Sequence, residues 1–459
     1  MLLRFNISNF LSFNNEQEFS MFPGKVQKFN DRLIRDKKLS TLKFCALYGA
    51  NASGKSNLIK AIDIAKEIII SGIHNMDYSD MYCKLKEENK NKATKFEFEI
   101  KVNDCYYAYG FTANLNDGIV LGEWLYEITP TEEIMIFERD MENKKINHEI
   151  IFKDESNKSK FDVYSQDIMN MNNVLLLSEI KRKNLKEKDF EVFSNIFSWF
   201  KDKLKIIYPD TVIGTFSRMF NTNCNLDIIK LLDYFDTGIT GYKMENSSME
   251  ELKKYMSSDE YERFIRILKK PLYDLKENKK LKKVTVQGTL RTDKHLFQLN
   301  FGNKEWEINK LLFKHGKNCD LMFEFGEESD GTRRLIELLD VIHNDNEDNI
   351  FLIDELDRSL HPQMTKKFVE TFFKATKEKH TQLFITTHES NLLDLEFLRR
   401  DEVWFVERDQ DYSSKLFSLE NFKVRYDKKI DKAYLEGRYG AVPVFKDFDS
   451  YVGDKDEEC

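Results

Sequence analysis

One eight-residue stretch has the composition of a phosphate-binding loop, because residues 49–56 read GANASGKS and fit GxxxxGK[ST] at every fixed position. Glycines let the backbone turn tightly enough for successive N–H groups to face phosphate oxygens, and the helix predicted from Asn57 onward adds the positive end of its dipole. We expect Lys55 to reach the β- and γ-phosphates of a nucleoside triphosphate and the Ser56 hydroxyl to bind Mg²⁺. A chance glycine-rich turn is disfavoured, because an apolar strand precedes the loop. The predicted nucleotide contacts here are Gly49, Asn51, Ser53, Gly54, Lys55, Ser56 and Asn57.

Two carboxylates end a second apolar segment. Residues 350–355 read IFLIDE, which is typical of a buried parallel strand with acidic residues at its carboxyl end. There Asp354 would complete the Mg²⁺ site, and Glu355 would polarise a water molecule for attack on the γ-phosphate. The next apolar strand, Leu383–Thr387, ends at His388, which could hydrogen-bond the γ-phosphate or the attacking water. A histidine at a strand end is usually a surface residue, but its position one strand after the acidic pair favours a catalytic role.

A polar turn with the sequence ESDGTRRL, residues 328–335, leads into a helix that we predict over Arg333–His343. In this turn Ser329 offers a hydroxyl, and the backbone through Gly331 offers N–H groups and the positive end of a helix dipole. These groups suit a phosphate. We therefore count Ser329 and Gly331 among the predicted nucleotide contacts.

Strands and helices must hold these three segments in place. Alternating apolar and polar residues predict a strand over Leu2–Phe13 with a partner at Glu18–Met21, and an antiparallel meander over Thr94–Ile151. The period then becomes helical, and from Val284 it returns to strands. The predicted helical segments are the apolar face of Phe190, Phe193, Ile196, Phe197, Phe200 and Leu204, then Leu226–Phe235, Met249–Met256 and Asp259–Lys279. We expect an α/β fold in two parts, residues 1–180 and 284–459, with a helical insertion at 181–283.

Composition narrows the classes of function. At 459 residues the chain exceeds what one core usually spans. Its net charge of −8 and pI of about 5.7 predict no basic surface, so any contact with DNA needs a local patch or an assembly. The six cysteines form no CxxC pair and no signal peptide is recognisable, which favours the reducing cytoplasm. No apolar run approaches the roughly 18 residues of a membrane span, so we expect no membrane partner.

Taken together, these segments resemble the ABC-type ATPase heads of the SMC, RecF and OLD-nuclease group. In that group the phosphate loop and the acidic strand lie far apart in sequence, with a signature motif between them. The resemblance assigns Walker A to Lys55 and Ser56, Walker B to Asp354 and Glu355, the switch histidine to His388, and the signature to Ser329 and Gly331. The signature departs from LSGGQ, because Asp330 stands where the first glycine would be and Thr332 replaces the neighbour on the glutamine side.

Four further segments resemble stand-alone bacterial ATPases that include abortive-infection proteins of the AbiL type, RloA and the AriA subunit of the PARIS anti-phage system. They are ISNFLSF at 7–13, DELDRSLHP at 354–362, TTH at 386–388 and GRYGAVP at 437–443. The resemblance implies an ABC-type, SMC/RecF-like P-loop ATPase head with an antiparallel β layer and an inserted helical subdomain. It implies hydrolysis of ATP with Mg²⁺ and pairing of two copies around ATP, with higher oligomers a further expectation. It also implies a cytoplasmic switch in anti-phage defence that controls a nuclease or toxin effector and responds to a phage protein or DNA.

Two other functions remain open on the sequence. A RecF-like or SMC-like DNA repair ATPase is the main alternative, which the acidic composition weakens without excluding. An OLD-type nuclease would carry its cutting site in the same chain, but 71 residues follow His388 and that module needs on the order of 100. The sequence Asp409-Gln410-Asp411 fits a hairpin turn better than a nuclease site.

Two smaller features carry little weight. His315 and Cys319 have helical spacing, but no further ligand pair accompanies them, so a zinc site is not expected. ABC heads carry a glutamine that senses Mg²⁺ and the γ-phosphate. Gln166 is a candidate for that glutamine, although nothing around it in the sequence fixes its place.

Overall fold

The computed structural model describes residues 1–36, 39–73, 78–183, 188–211, 213–214, 225–258, 261–262, 264–265, 268, 286–302, 305–316, 321–343, 346–422 and 430–435. These residues form two compact units. The first unit draws on Met1–Ile207, Asn346–Glu355 and Glu378–Cys459, and the second on Tyr208–Asp345 and Leu356–Lys377. Each unit is therefore built from segments that are distant in sequence.

The described elements are numbered in chain order. The strands are β1 Leu2–Ser8, β2 Gln17–Ser20, β3 Ile34–Arg35, β4 Ser40–Thr41, β5 Phe44–Tyr48, β6 Thr94–Val102, β7 Cys105–Asn114, β8 Ile119–Ile128, β9 Glu133–Asp140, β10 Lys145–His148, β11 Leu204–Ile207, β12 Ile213–Gly214, β13 Ile239–Ser247, β14 Val286–Arg291, β15 Leu296–Gly302, β16 Glu305–His315, β17 Met322–Glu324, β18 Ile350–Ile353, β19 Gln382–Thr386, β20 Val403–Arg408 and β21 Ser414–Ser418. The helices are α1 Lys55–Ser71, α2 Glu155–Met169, α3 Leu176–Arg182, α4 Glu191–Ser198, α5 Asn225–Tyr234, α6 Met249–Lys253, α7 Asp330–Ile342, α8 Pro362–Ala375 and α9 Ile430–Leu435.

A six-stranded sheet at the centre of the first unit has the order β11-β18-β19-β5-β20-β21, and its strands are parallel except for β21. Every residue of β5, β18 and β19 is buried, as expected of parallel strands that are covered on both faces. Since β5, β18 and β19 run in the same direction, the phosphate loop, the acidic pair and His388 all follow carboxyl ends at one edge of this sheet.

A seven-stranded antiparallel sheet, ordered β10-β9-β8-β7-β6-β1-β2, packs against the parallel sheet within the first unit. The ring of Phe19 on β2 lies 4.8 Å from Phe384 and 5.2 Å from Trp404, measured between ring centroids. Gln382 at the start of β19 receives a hydrogen bond from the backbone N–H of Leu2 at 2.7 Å. Aromatic packing and this buried amide therefore fix the antiparallel layer on the nucleotide-binding sheet.

The second unit contains an antiparallel sheet ordered β12-β14-β15-β16-β13, with β17 paired to β16. Its core includes buried side chains from β14, β15, β16 and α6: Leu252, Leu290, Phe297, Leu299 and Ile308. The segment from 181 to 283, which we expected to be helical, thus contains the nine-residue strand β13. It also contains β11, a strand of the parallel sheet in the first unit.

Most of the other predicted elements are confirmed. Strands β1 and β2 pair antiparallel, β6 to β10 form the meander, and helices occupy α5 and α6. The aromatic stripe is helical through Phe200, but Leu204 begins β11, so the predicted face ended one turn too late. The segment 437–443, Cys319 and most of the predicted helix Asp259–Lys279 lie outside the described residues. Among the described helices, none is long and apolar enough to cross a membrane.

Candidate functional site

The phosphate loop joins β5 to α1 through backbone conformations that favour glycine. Gly54 is the N-cap of α1 with φ of 115°, and no side chain caps this helix. A Cβ added at Gly54 would lie 2.3 Å from Ser414 Oγ and 2.8 Å from Ser12 Oγ, which is too close for any side chain. Because no side chain caps the helix, the backbone N–H groups of its first turn face outward and are suited to an anion.

Lys55 lies across its own loop and is only 6% exposed. Its ammonium group donates hydrogen bonds to the carbonyls of Gly49 at 2.8 Å and Ala50 at 3.1 Å. These carbonyls hold the lysine beside the residues that would surround a phosphate. A bound phosphate would offer the ammonium group a stronger, charge-assisted partner.

The Ser53 hydroxyl supports the same interpretation. It is buried, with the residue 3% exposed, and within the described part of the chain it has no hydrogen-bond partner. A buried polar atom without a partner costs stability unless a ligand or water satisfies it. The loop residues thus fit a phosphate.

The phosphate loop is held from behind by two serines that sequence reasoning missed. The hydroxyl of Ser414, at the start of β21, donates to the Ser53 carbonyl at 2.5 Å. Ser12, from the segment after β1, accepts from Asn57 Nδ2 at 2.8 Å through its hydroxyl and from Ser414 N at 2.8 Å through its carbonyl. Asn57 therefore holds the loop in place. The segment ISNFLSF contains Ser12, but the sequence alone gave this serine no role.

The acidic pair meets the phosphate loop at the predicted edge of the sheet. Ser56 Oγ donates to Asp354 Oδ1 at 3.0 Å, and Thr386 Oγ1 donates to the same oxygen at 2.6 Å. Thr386 in turn accepts from the backbone N–H of Glu355 at 2.8 Å. One threonine on β19 thus fixes both acidic residues. Its presence in TTH was the only signal for it in the sequence.

Glu355 has an unusual backbone conformation for a residue with a side chain. Its φ is 49°, in the left-handed region, and the residue is half-buried. Such a conformation costs energy and persists where the surrounding structure enforces it, often at functional sites. Asp354 is 5% exposed, whereas His388, just after β19, is exposed. Buried Asp354 and half-buried Glu355 therefore stand beside an exposed histidine at one edge of the sheet.

The donor set at this edge fits Mg²⁺. A serine hydroxyl and an aspartate oxygen 3.0 Å apart are hard oxygen ligands of the kind that Mg²⁺ takes in nucleotide sites. In other parts of the described chain, no group of three or more His, Cys, Asp or Glu side chains could hold a metal ion. Ser56 and Asp354 are therefore the residues that would hold the ion.

The signature turn lies in the second unit. Ser329 is the N-cap of α7, and its hydroxyl accepts from Thr332 N at 3.1 Å and lies 2.8 Å from Thr332 Oγ1. A Cβ on Gly331 would lie 2.9 Å from the Ser359 carbonyl, so only glycine fits between this turn and the segment that follows the acidic strand. The structure thus gives both predicted signature residues a definite local role.

Ion pairs surround the signature turn. Glu328 is bound by His315 Nε2 at 2.7 Å, so this histidine has a carboxylate partner. A cavity of about 200 Å³ borders the first turns of α7. Its charged lining residues are Asp210, Arg291, Asp293, Asp330, Arg333, Arg334, Glu337 and Arg358. Equal numbers of arginines and acidic residues line the cavity, so it has no excess of positive charge.

The amino edge of the parallel sheet holds buried charge of a different kind. Arg399 is 1% exposed and binds both oxygens of Asp401, at 2.9 and 2.6 Å. Burial raises the pKa of Glu402 to about 8, and hydrogen bonding to the Arg399 backbone opposes this shift. Burial therefore favours the uncharged form of the Glu402 carboxyl. These groups are bound to one another at the edge opposite the phosphate loop, and they stabilise the fold.

The predicted site residues are divided between the two units. Ser329 and Gly331 belong to the second unit, whereas the loop, the acidic pair and His388 belong to the first. Asn51 is exposed at the tip of the loop. Gln166 is exposed in the last turn of α2, and it follows no strand of the nucleotide-binding sheet.

The Asp409-Gln410-Asp411 sequence forms the β20–β21 turn, as predicted. Asp409 Oδ1 accepts from the backbone N–H groups of Asp411 and Ser413, each at 2.9 Å. The carboxylate of Asp409 thus shapes the hairpin turn.

The topology and the site together define an α/β protein with the fold of an ABC-type P-loop ATPase head, in which an antiparallel β layer covers the nucleotide-binding sheet. The chain belongs to the family described as "AAA domain, putative AbiEii toxin, Type IV TA system", whose model matches residues 44–394, more than half of the chain.

Solved structures similar to this chain include two SMC heads. One is described as the SmcHead bound to the C-winged helix domain of ScpA, with 12% identity over 91% of this chain and 97% of that chain, and a TM-score of 0.41. The other is the SMC head domain from Thermotoga maritima, with 13% identity over 91% of this chain and 98% of that chain, and a TM-score of 0.35. No curated protein matches the sequence.

Proposed function

We propose that this protein binds and hydrolyses ATP and uses the nucleotide state as a switch in bacterial anti-phage defence. The observation that carries the hydrolysis is the convergence at one sheet edge of Lys55, the Ser56–Asp354 hydrogen bond at 3.0 Å and Glu355. Phosphoryl transfer to water asks mainly for positioning and charge stabilisation, and these residues supply both. We expect slow turnover in the isolated protein.

Each residue has a defined part in this proposal. The loop N–H groups and Lys55 hold the β- and γ-phosphates, because the helix start is uncapped and the ammonium group already lies on the loop. Glu355 accepts a proton from the attacking water as its oxygen bonds to the γ-phosphorus and the bond to the β–γ bridging oxygen breaks. The products are ADP and phosphate. Exposed His388 hydrogen-bonds the γ-phosphate from the solvent side.

When it is bound with ATP, Mg²⁺ would neutralise part of the phosphate charge. Ser56 and Asp354 are the residues that would hold it. Thr386 keeps Asp354 in place through its hydrogen bond of 2.6 Å and also binds the backbone of Glu355. Thr386 thus holds both Asp354 and Glu355 in position.

We infer that two copies close around ATP. The turn at Ser329 and Gly331 offers a hydroxyl and backbone N–H groups at a helix N-terminus, yet it lies in a different unit from the phosphate loop. A second copy would present this turn to the γ-phosphate bound by the first, in the manner of ABC-type heads. Closure of two copies then becomes the two-state element that a switch requires.

The switch needs an output, and we propose that a separate nuclease or toxin effector supplies it. Within the described residues no metal cluster stands apart from the nucleotide site, and the Asp409 turn is occupied by its own backbone contacts. The trigger would be a phage protein or DNA. A RecF-like or SMC-like repair ATPase remains the alternative, in which DNA itself is the partner of the closed dimer.

Replacing Glu355 by glutamine tests the hydrolysis. Glu355→Gln should bind ATP within about threefold of wild type but turn over at least roughly 100-fold more slowly, because a general base contributes that much. Steady-state phosphate release and a fluorescent-nucleotide titration measure the two quantities. The control is Glu138→Gln, an exposed carboxylate on β9 of the antiparallel sheet, which should hydrolyse normally. Hydrolysis by Glu355→Gln at the wild-type rate would show that the base is assigned wrongly.

The same variant tests the switch in cells. Wild type and Glu355→Gln are expressed alone and with the product of the neighbouring gene, with and without phage challenge. We expect neither to arrest growth or cut nucleic acid alone, and the two to differ when the neighbour and phage are present. Growth arrest by this chain alone would contradict the effector model and favour a toxin within the chain.

A further inference from the structure

The signature turn carries a charge where the LSGGQ pattern has none. Asp330 occupies the place of the first glycine and is the first residue of α7, with a side chain 71% exposed. An acidic residue in the first turn stabilises its own helix through the helix dipole. The same carboxylate would repel a phosphate brought to this helix N-terminus, because like charges in a closed interface interact strongly.

The structure supplies a countercharge one turn later. The guanidinium of Arg333 binds the carboxylate of Asp330 through Nη2 and Oδ1, in an i to i+3 pair on the helix surface. Arg333 Nη1 also donates to the Asp293 carbonyl at 3.4 Å, and the group lies 6.0 Å from the centroid of the Phe325 ring. The charge of Asp330 is therefore neutralised next to the signature serine.

Arg333 also has room to move. Its side chain is 30% exposed and borders the cavity of about 200 Å³. The other arginines of this cavity are paired elsewhere: Arg291 and Arg334 bind Glu337, and Arg358 binds Asp210 at 3.2 Å. Among the arginines of this cavity, Arg333 is thus the one that pairs with Asp330. Its long side chain can stay on Asp330 or turn toward an incoming phosphate.

We propose that Arg333 is a positioning residue for ATP hydrolysis, which neutralises Asp330 so that the signature turn can approach the triphosphate held by a second copy. This inference rests on the proposed function, because it needs two copies that close around ATP. The Asp330–Arg333 pair replaces a glycine that would have carried no charge. It makes closure depend on one ion pair at the surface of each copy.

A double-mutant cycle tests the pair. Arg333→Ala should lower the turnover number roughly 10-fold or more while the affinity of the isolated protein for ATP stays within about twofold, since the phosphate loop is unchanged. Asp330→Asn combined with Arg333→Ala should recover turnover to within about threefold of wild type, because the uncompensated charge is gone. Arg333→Lys should retain most activity.

Ionic strength separates this role from a purely structural one. The defect of Arg333→Ala should shrink as salt rises, because salt screens the exposed carboxylate from the phosphate. The control is Lys84→Ala, which breaks an exposed ion pair with Asp80 at 2.6 Å. This control should change neither turnover nor its salt dependence.

Three results would overturn the proposal: wild-type turnover in Arg333→Ala, a double variant no better than Arg333→Ala, or a defect that salt does not alter. If the wild-type protein hydrolyses ATP and needs Lys55 to do so, but Arg333→Ala has the wild-type rate, only the role of the Asp330–Arg333 pair is refuted. A wild-type protein without hydrolysis would refute the proposed function together with it.

Discussion

Two helices of this protein begin at residues that we predicted to contact phosphate, and their N-termini are capped differently. Helix α1 starts at Gly54, with no side-chain cap and with a buried Ser53 hydroxyl that has no partner among the described residues. Helix α7 starts at Ser329, whose hydroxyl caps the helix by accepting from Thr332 N at 3.1 Å. The N–H groups at the start of α1 have no side-chain cap and are suited to an anion. At the start of α7, the N–H group of Thr332 already has a side-chain partner.

This difference in capping assigns separate roles to the two helices: α1 is suited to bind ATP, and α7 to contact ATP that a second copy holds. An uncapped helix start gains its missing partners when phosphate arrives, so the first unit is suited to bind ATP by itself. At α7 the Ser329 hydroxyl already accepts from Thr332 N, which leaves its own proton to donate to a phosphate of a second copy. Under the proposed function we therefore expect ATP to bind the phosphate loop first and the signature turn to engage when two copies close.

The largest effect, on ATP binding, is expected for a substitution at the uncapped start of α1. Gly54→Ala should weaken ATP binding at least roughly 100-fold, because a side chain at φ of 115° would also collide with the hydroxyls of Ser12 and Ser414. A fluorescent-nucleotide titration measures the loss. Gly118→Ala is the matched control, since Gly118 also has positive φ, 66°, but open space around it. If both variants lost binding equally, crowding of the loop would not be the cause.

An intermediate effect is expected when the phosphate loop is inactivated in one copy and the signature turn in the other. Lys55→Ala should lose ATP binding, and Ser329→Arg should bind ATP but neither pair nor hydrolyse. Mixed in equal amounts, random pairing gives half of the dimers one intact composite site, so about a quarter of the wild-type rate should return. Each variant alone is the control. Complete failure to recover activity would count against closure of two copies around ATP.

The smallest expected change in stability concerns the cap of α7. Ser329→Ala should lower the free energy of unfolding by about 1 kcal/mol and should also stop hydrolysis. Ser248→Ala removes a cap of the same kind, because Ser248 accepts from Glu251 N at 3.2 Å at the start of α6. That control should lose similar stability but keep hydrolysis. Thermal melts and phosphate release measure both quantities, and normal turnover in Ser329→Ala would remove the signature from the mechanism.

The sequence correctly predicted that the loop at 49–56 joins a strand to a helix and that the acidic pair follows a buried strand, because each is a dense local pattern. The partners that fix them depend on register between distant strands, which no local pattern encodes. Thr386 meets Asp354 because β18 and β19 pair in parallel, and Ser414 meets the loop because β21 follows β20 at the edge of the same sheet. Their roles became visible only in the folded chain.

The middle of the chain was harder to predict for a different reason. Strand β11 has four residues and directly follows an aromatic helical stripe, so its pattern merges with that helix. Strand β13 is mostly exposed or half-buried, which removes the alternation that would have revealed it. Weak burial and short length thus concealed both strands in a segment that looked helical.

The position of β5 has a consequence for synthesis of the protein. This strand, which carries the phosphate loop, pairs with β19 on one side and β20 on the other, and the hydroxyl of Ser414 holds the loop. Strands β19 and β20 and Ser414 lie far along the chain, so a growing polypeptide emerges from the ribosome with a phosphate loop that lacks these contacts for most of translation. The phosphate-binding site is therefore incomplete in nascent chains and in any truncated product that stops before β19.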